Sequence, residues 1–94
     1  MDEIVQHYRD SKTPRGHELR VDERDHEAII WYLFWGEHDG VEDHHHMGIA
    51  RVRSIGSGFE IGWLHGTDQE PYRSEQVTDL KELYARIDAE IANR

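Results

Sequence analysis

The densest run of chemically capable side chains is "EHDGVEDHHH", Glu37 to His46, where four carboxylates and four histidines fall within ten residues. Imidazole and carboxylate are ligands for zinc and similar ions. On an extended strand alternate residues share a face, which brings His44 and His46 within reach of one ion, with His38 or Asp43 as further ligands. The spacing matches no established metal motif, so a solvated, charged turn is the competing reading.

Other chemistries find less. Without cysteine, the nucleophile candidates are Ser11, Ser54, Ser57 and Ser74, and none lies in a G-x-S-x-G elbow. The stretch "GSGFEIG" is not G-x-G-x-x-G, and it joins two strands where a phosphate loop would open a helix. Carboxylate pairs are plentiful, which in an acidic chain says little about general acid and base roles. The expectation is therefore a protein that is not an enzyme and needs no cofactor, with a zinc module or metal-dependent hydrolase as the alternative.

The elements that must carry these residues follow from periodicity. Ile4, Val5 and Tyr8 have helical spacing after a possible Asp2 cap, giving a short N-terminal helix. "HELRVD" alternates and reads as an edge strand. "AIIWYLFW", Ala28 to Trp35, is bulky on both faces and reads as a central strand. Asp39-Gly40 is a strong hairpin signal of type I′. With that tip, Trp35 faces His44, Leu33 His46, Trp31 Gly48 and Ile29 Ala50 on one face, and Phe34 faces His45, Tyr32 Met47 and Ile30 Ile49 on the other. A type II′ turn at Gly56-Ser57 pairs Val52 with Ile61, Ala50 with Trp63 and Arg53 with Glu60. Ser74 is read as the N-cap of a helix whose apolar stripe is Val77, Leu80, Leu83, Tyr84, Ile87 and Ile91.

These elements predict one α+β domain over residues 1–94: a four-stranded antiparallel meander in order 1-2-3-4, the C-terminal helix on one face, and the short N-terminal helix. The face of Ile29, Trp31, Leu33, Ala50, Val52, Phe59, Ile61 and Trp63 is expected to be the core beneath the C-terminal helix. Ile30, Tyr32, Phe34, Met47, Ile49 and Leu64 are then left on the other face. That second face is either covered by Ile4, Val5 and Tyr8, paired with its own copy in a homodimer, or open to a foreign partner.

Charge bears on the partner. Twenty Asp and Glu oppose nine Arg and two Lys, a formal net charge of -9. Such a field repels nucleic acid and membrane phosphates and attracts basic surfaces. Protonating all eight histidines at +1 each would bring the charge to -1, so charge-driven binding should weaken in mild acid. The N-terminus lacks the pattern of a secretory signal and no apolar run is long enough to span a bilayer. Together with the missing cysteines, this suggests a soluble, cytoplasmic protein.

The meander, its closing helix "SEQVTDLKELYARIDAEI" and the acidic balance together resemble small proteins encoded by phages and other mobile elements. Among these, anti-CRISPR inhibitors are often single domains of this size that block nucleic-acid-handling machinery by occupying basic surfaces. The resemblance implies an inhibitor that binds a basic protein and not nucleic acid directly. It assigns no residue. From the residues themselves, Ile30, Tyr32, Phe34, Met47 and Ile49 are the expected anchors, and Glu37, Asp39, Glu42 and Asp43 the steering charges.

Overall fold

A computed structural model describes residues 1–38 and 40–93; for residues 34–38 and 41–44 it describes the backbone and its pairing. The elements in chain order are α1 (Asp2–Tyr8), β1 (Leu19–Arg24), β2 (Glu27–His38), β3 (Val41–Ile55), β4 (Gly58–Trp63), β5 (Arg73–Val77) and α2 (Leu80–Ala92). The strands form one antiparallel sheet in order β1-β2-β3-β4-β5. The class is α+β, as the periodicity predicts, but the sheet has five strands and not four.

The fifth strand comes from the segment read as the first turns of the C-terminal helix. Ser74 pairs with Gly62 inside β5 and is not a cap. Val77 lies opposite Phe59 and is buried. Val77 lies three residues before Leu80, a separation that a helix and a strand running into a helix both allow. The N-cap is Asp79, whose side chain accepts a hydrogen bond from the Glu82 amide at 2.8 Å. At α1, likewise, Met1 holds the N-cap position and Asp2 lies in the first turn.

Both helices lie on one face of the sheet, α1 against β1 and β2, α2 against β3 and β5. Beneath them Ile4, Tyr8, Leu19, Ile30, Ala50, Val52, Ile61, Trp63, Leu83 and Ile87 form the main core. The expected split of β2 is therefore reversed: Ile30 faces the helices, while Ile29 and Trp31 face away and pack with Leu64 in a second cluster. The cause is a β-bulge. Trp31 pairs with Gly48 as expected, but Ile30 pairs with Ala50, leaving Ile49 as the extra residue of β3. One inserted residue exchanges the faces of the two strands relative to each other. The bulge brings Ala28 and Ile30 into line with Val52 and Ala50 under the helices.

The turn between β3 and β4 falls at Gly56-Ser57, with Ile55 opposite Gly58. Among the described residues the glycines at positive φ are Gly16, Gly40 and Gly66. Gly56 thus makes its turn without the left-handed backbone of a type II′ turn.

On the face away from the helices, the segment from Leu64 to Tyr72 folds back as a strap. It is fixed at both ends: the Leu64 amide donates to the Ile49 carbonyl at 3.0 Å and the Tyr72 amide to the Trp63 carbonyl at 3.0 Å. Between them, the Gly48 amide donates to the Gly66 carbonyl at 2.8 Å, and Arg24 Nη2 reaches Gln69 Oε1 at 3.4 Å. Two glycines make room for it. A Cβ at Gly48 would stand 2.8 Å from Leu64 Cβ, and one at Gly62 would stand 2.5 Å from Pro71 Cγ. This packing helps explain how Ile29, Trp31 and Leu64 are buried on a face that carries no helix.

Candidate interaction site

The pairing of β1 ends at Leu19 opposite Tyr32, and that of β4 ends at Trp63 opposite Ala50. β2 and β3 run on beyond both, as a two-stranded arm from the body to the turn after His38. The molecule accordingly measures 50 Å along one axis and 23 Å along each of the others. Gly40, at φ +78, sits in that turn and agrees with the predicted hairpin. Isolated two-stranded hairpins are marginal in water, so an arm of this length gains from a docking surface.

Along the arm Leu33 is opposite His46, Phe34 opposite His45, Trp35 opposite His44, Gly36 opposite Asp43 and Glu37 opposite Glu42. The predicted register holds here residue for residue. The acidic positions accordingly cluster toward the tip, with Glu37 and Glu42 directly across from each other. Like charges at such positions destabilise an isolated hairpin.

The expected anchors separate into three groups. Ile30 and Ile49 are wholly buried in the main core and cannot serve as surface anchors. Tyr32 and Met47 pair at the base of the arm and are half-buried, Tyr32 against the core. For Phe34, as for Glu37, Glu42 and Asp43, the backbone place is known and the side chain lies outside the described residues; Asp39 lies outside them altogether. Ile4, Val5 and Tyr8 do not cover the face opposite the C-terminal helix, as one reading of the sequence expects: α1 lies beside α2 over Ile30, and the opposite face is crossed by the Leu64–Tyr72 strap.

Of the metal candidates, the side chains of His38 and His44 also lie outside the described residues. His46 is described: its Nε2 lies 3.2 Å from Arg20 Nη1, a contact in which Nε2 accepts from the guanidinium when the neutral ring carries its proton on Nδ1. Among the described residues no three metal-capable side chains converge.

Sequence reasoning missed the polar structure on the outer face. Arg20 Nε donates to Asp22 Oδ1 at 3.1 Å, Trp31 Nε1 donates to Asp22 Oδ2 at 3.1 Å, and Thr67 of the strap lines an open 300 Å³ hollow beside them. Farther along, Glu27 is only 9% exposed and accepts from Arg51 Nε at 2.9 Å, Arg51 Nη2 at 3.3 Å and Arg53 Nε at 3.2 Å. The Arg51 hydrogen bonds hold its carboxyl below the ordinary range, outweighing the burial that would raise it, and Arg53 adds to them. The alternation of Glu27, Ile29 and Trp31 with Arg51 and Arg53 opposite was a usable signal, had the bulge been known.

The helix layer carries a second polar contact. Tyr8 donates to Asp88 Oδ1 at 2.9 Å, and His7 stacks on Tyr84 with ring centroids 3.9 Å apart. Burial, then the Asp88 carboxylate, pushes the Tyr8 phenol well above its usual range.

No helix among the described residues is long and apolar enough to cross a membrane. No protein-family model matches the chain, and neither a curated protein nor a solved structure shows significant similarity to it.

Proposed function

We propose that the chain is a non-enzymatic, acidic interaction protein whose β2–β3 arm engages a basic protein surface. The observation that carries this reading is the outrunning of β1 and β4 by a hairpin with Glu37 and Glu42 opposed near its tip. A cationic partner relieves that opposition, and the net charge of -9 steers the encounter. A second copy carries the same net charge of -9, so a basic occupant is favoured over homodimerisation. Tyr32 and Met47, at the base of the arm, supply the apolar contact. Where the partner handles nucleic acid, occupation of its basic surface makes the protein an inhibitor of the anti-CRISPR type.

The test is binding to a fluorescent arginine-rich peptide, followed by anisotropy at low and high salt. Neutralising the tip (Glu37→Gln, Asp39→Asn, Glu42→Gln, Asp43→Asn) should weaken binding at least about tenfold. Neutralising Glu82 and Glu90 on α2, away from the arm, should do far less. Equal loss per charge removed from the two sets would mean that the peptide reads total charge and that the arm has no special part.

A further inference from the structure

The outer face holds a second hollow, of 210 Å³, lined by Arg51, Arg53, Glu60, Glu70, Gly62, Pro71 and Ser74. Its floor is a line across three strands, Arg51 of β3 opposite Gly62 of β4, and Gly62 opposite Ser74 of β5. The depression exists because Gly62 has no side chain, and Pro71 of the strap stands over it.

The charges around this hollow are not matched pairwise. On one side the single carboxylate of Glu27 serves both Arg51 and Arg53, leaving one positive charge in excess. Arg51 is largely buried, its side chain 19% exposed, so it is fixed in place. Around the same hollow stand the carboxylates of Glu60, half-buried, and Glu70, exposed. Neither makes an ion pair within 4.0 Å among the described residues. Arg53 and Glu60 stand opposite each other across β3 and β4 without an ion pair within 4.0 Å among the described residues, so the hollow presents charge of both signs to a guest.

We infer that this hollow binds a small zwitterion of the α-amino acid class, its carboxylate toward Arg51 and Arg53 and its ammonium toward Glu60 and Glu70. Three physical points favour that class. A simple anion leaves Glu60 and Glu70 unmet and is opposed by the net charge of -9, while a simple cation leaves unmet the positive charge that Glu27 does not neutralise. A zwitterion has no net charge and satisfies both sides at once. The volume suits a molecule the size of a free amino acid and excludes drug-sized ligands, which need larger cavities. The Ser74 hydroxyl can add a hydrogen bond to either end of the guest.

The experiment is a titration of the full chain with glycine, followed through the backbone amide resonances of Gly62 and Ser74. Acetate and methylammonium, at matched ionic strength, serve as half-ligands. Glycine should give saturable shifts at those amides, with each half-ligand at least about tenfold weaker, since each lacks one charged contact. Arg53→Gln and Glu70→Gln should each weaken glycine by about tenfold, while Glu82→Gln on α2 leaves it unchanged. Glu70 is exposed on the strap, so its variant tests the site even if Arg53→Gln disturbs the fold. Absence of saturable shifts, equal binding of acetate and glycine, or full binding by Glu70→Gln would overturn the assignment.

Discussion

Replacing Glu27 by Gln keeps the shape of the side chain and removes its charge, at the point where three guanidinium hydrogen bonds converge. Removing one partner of a buried ion pair costs about 3–5 kcal/mol, because the other charge stays behind desolvated. Here Arg51 is 19% exposed and Arg53 47% exposed, so water recovers part of that loss. An expected cost of about 2–3 kcal/mol at neutral pH follows. In a domain of this size that lowers Tm by on the order of 10 °C. The pH dependence separates charge from packing. The folded carboxyl titrates below its ordinary value of 4.5, so its contribution is complete above that value and fades as pH falls through the folded one. Urea unfolding of both proteins should therefore show a gap at neutral pH that closes in acid. A gap that is the same at about pH 3 as at neutrality would refute the electrostatic account and leave Glu27 as a packing residue.

Three further outcomes are expected. Gly62→Ala places a Cβ 2.5 Å from Pro71, so the strap must shift; stability should fall by about 1–3 kcal/mol in urea unfolding, with faster hydrogen exchange at Tyr72. Asp79→Ala removes the side-chain N-cap of α2 and should cost about 1 kcal/mol, read as reduced helicity and Tm. Tyr8, whose folded pKa is raised, contributes stability that is complete below its ordinary value of 10.0 and is lost as pH rises through the folded one. Alkaline titration should thus loosen α1, and Tyr8→Phe, which has no phenol to ionise, should blunt that transition.

How far the sequence carried the fold depended on whether its local signals were redundant. The Asp39-Gly40 tip set the register of the arm correctly from His38 to Trp31, and the turn at Gly56-Ser57 set Val52 against Ile61 and Ala50 against Trp63. Between these correct stretches lay the error. Because "AIIWYLFW" is apolar on both faces, a bulge at Ile49 leaves no mismatch within that run, and only Glu27, Arg51 and Arg53 beyond it carry a signal. Ile30 and Ile49, which the pattern places among the surface anchors, are core. The strap was invisible for a different reason. "HGTDQEPYR" has the composition of an ordinary loop, and its path depends on the missing side chains of Gly48 and Gly62, two positions on other strands. Of the candidate site, the acidic tip and its register were legible. The placement of the arm outside the body was not, since it depends on where β1 and β4 stop.

The central claim is that the arm, and not the charge of the chain as a whole, contacts the basic partner. Excising residues 35–44 and joining Phe34 to His45 through an Asn-Gly turn preserves the pairing of those two residues and leaves the five-stranded body intact. The account predicts a folded protein, within about 1 kcal/mol of the parent in urea unfolding, whose affinity for the arginine-rich peptide falls at least about tenfold. Retained affinity in the folded variant would contradict it.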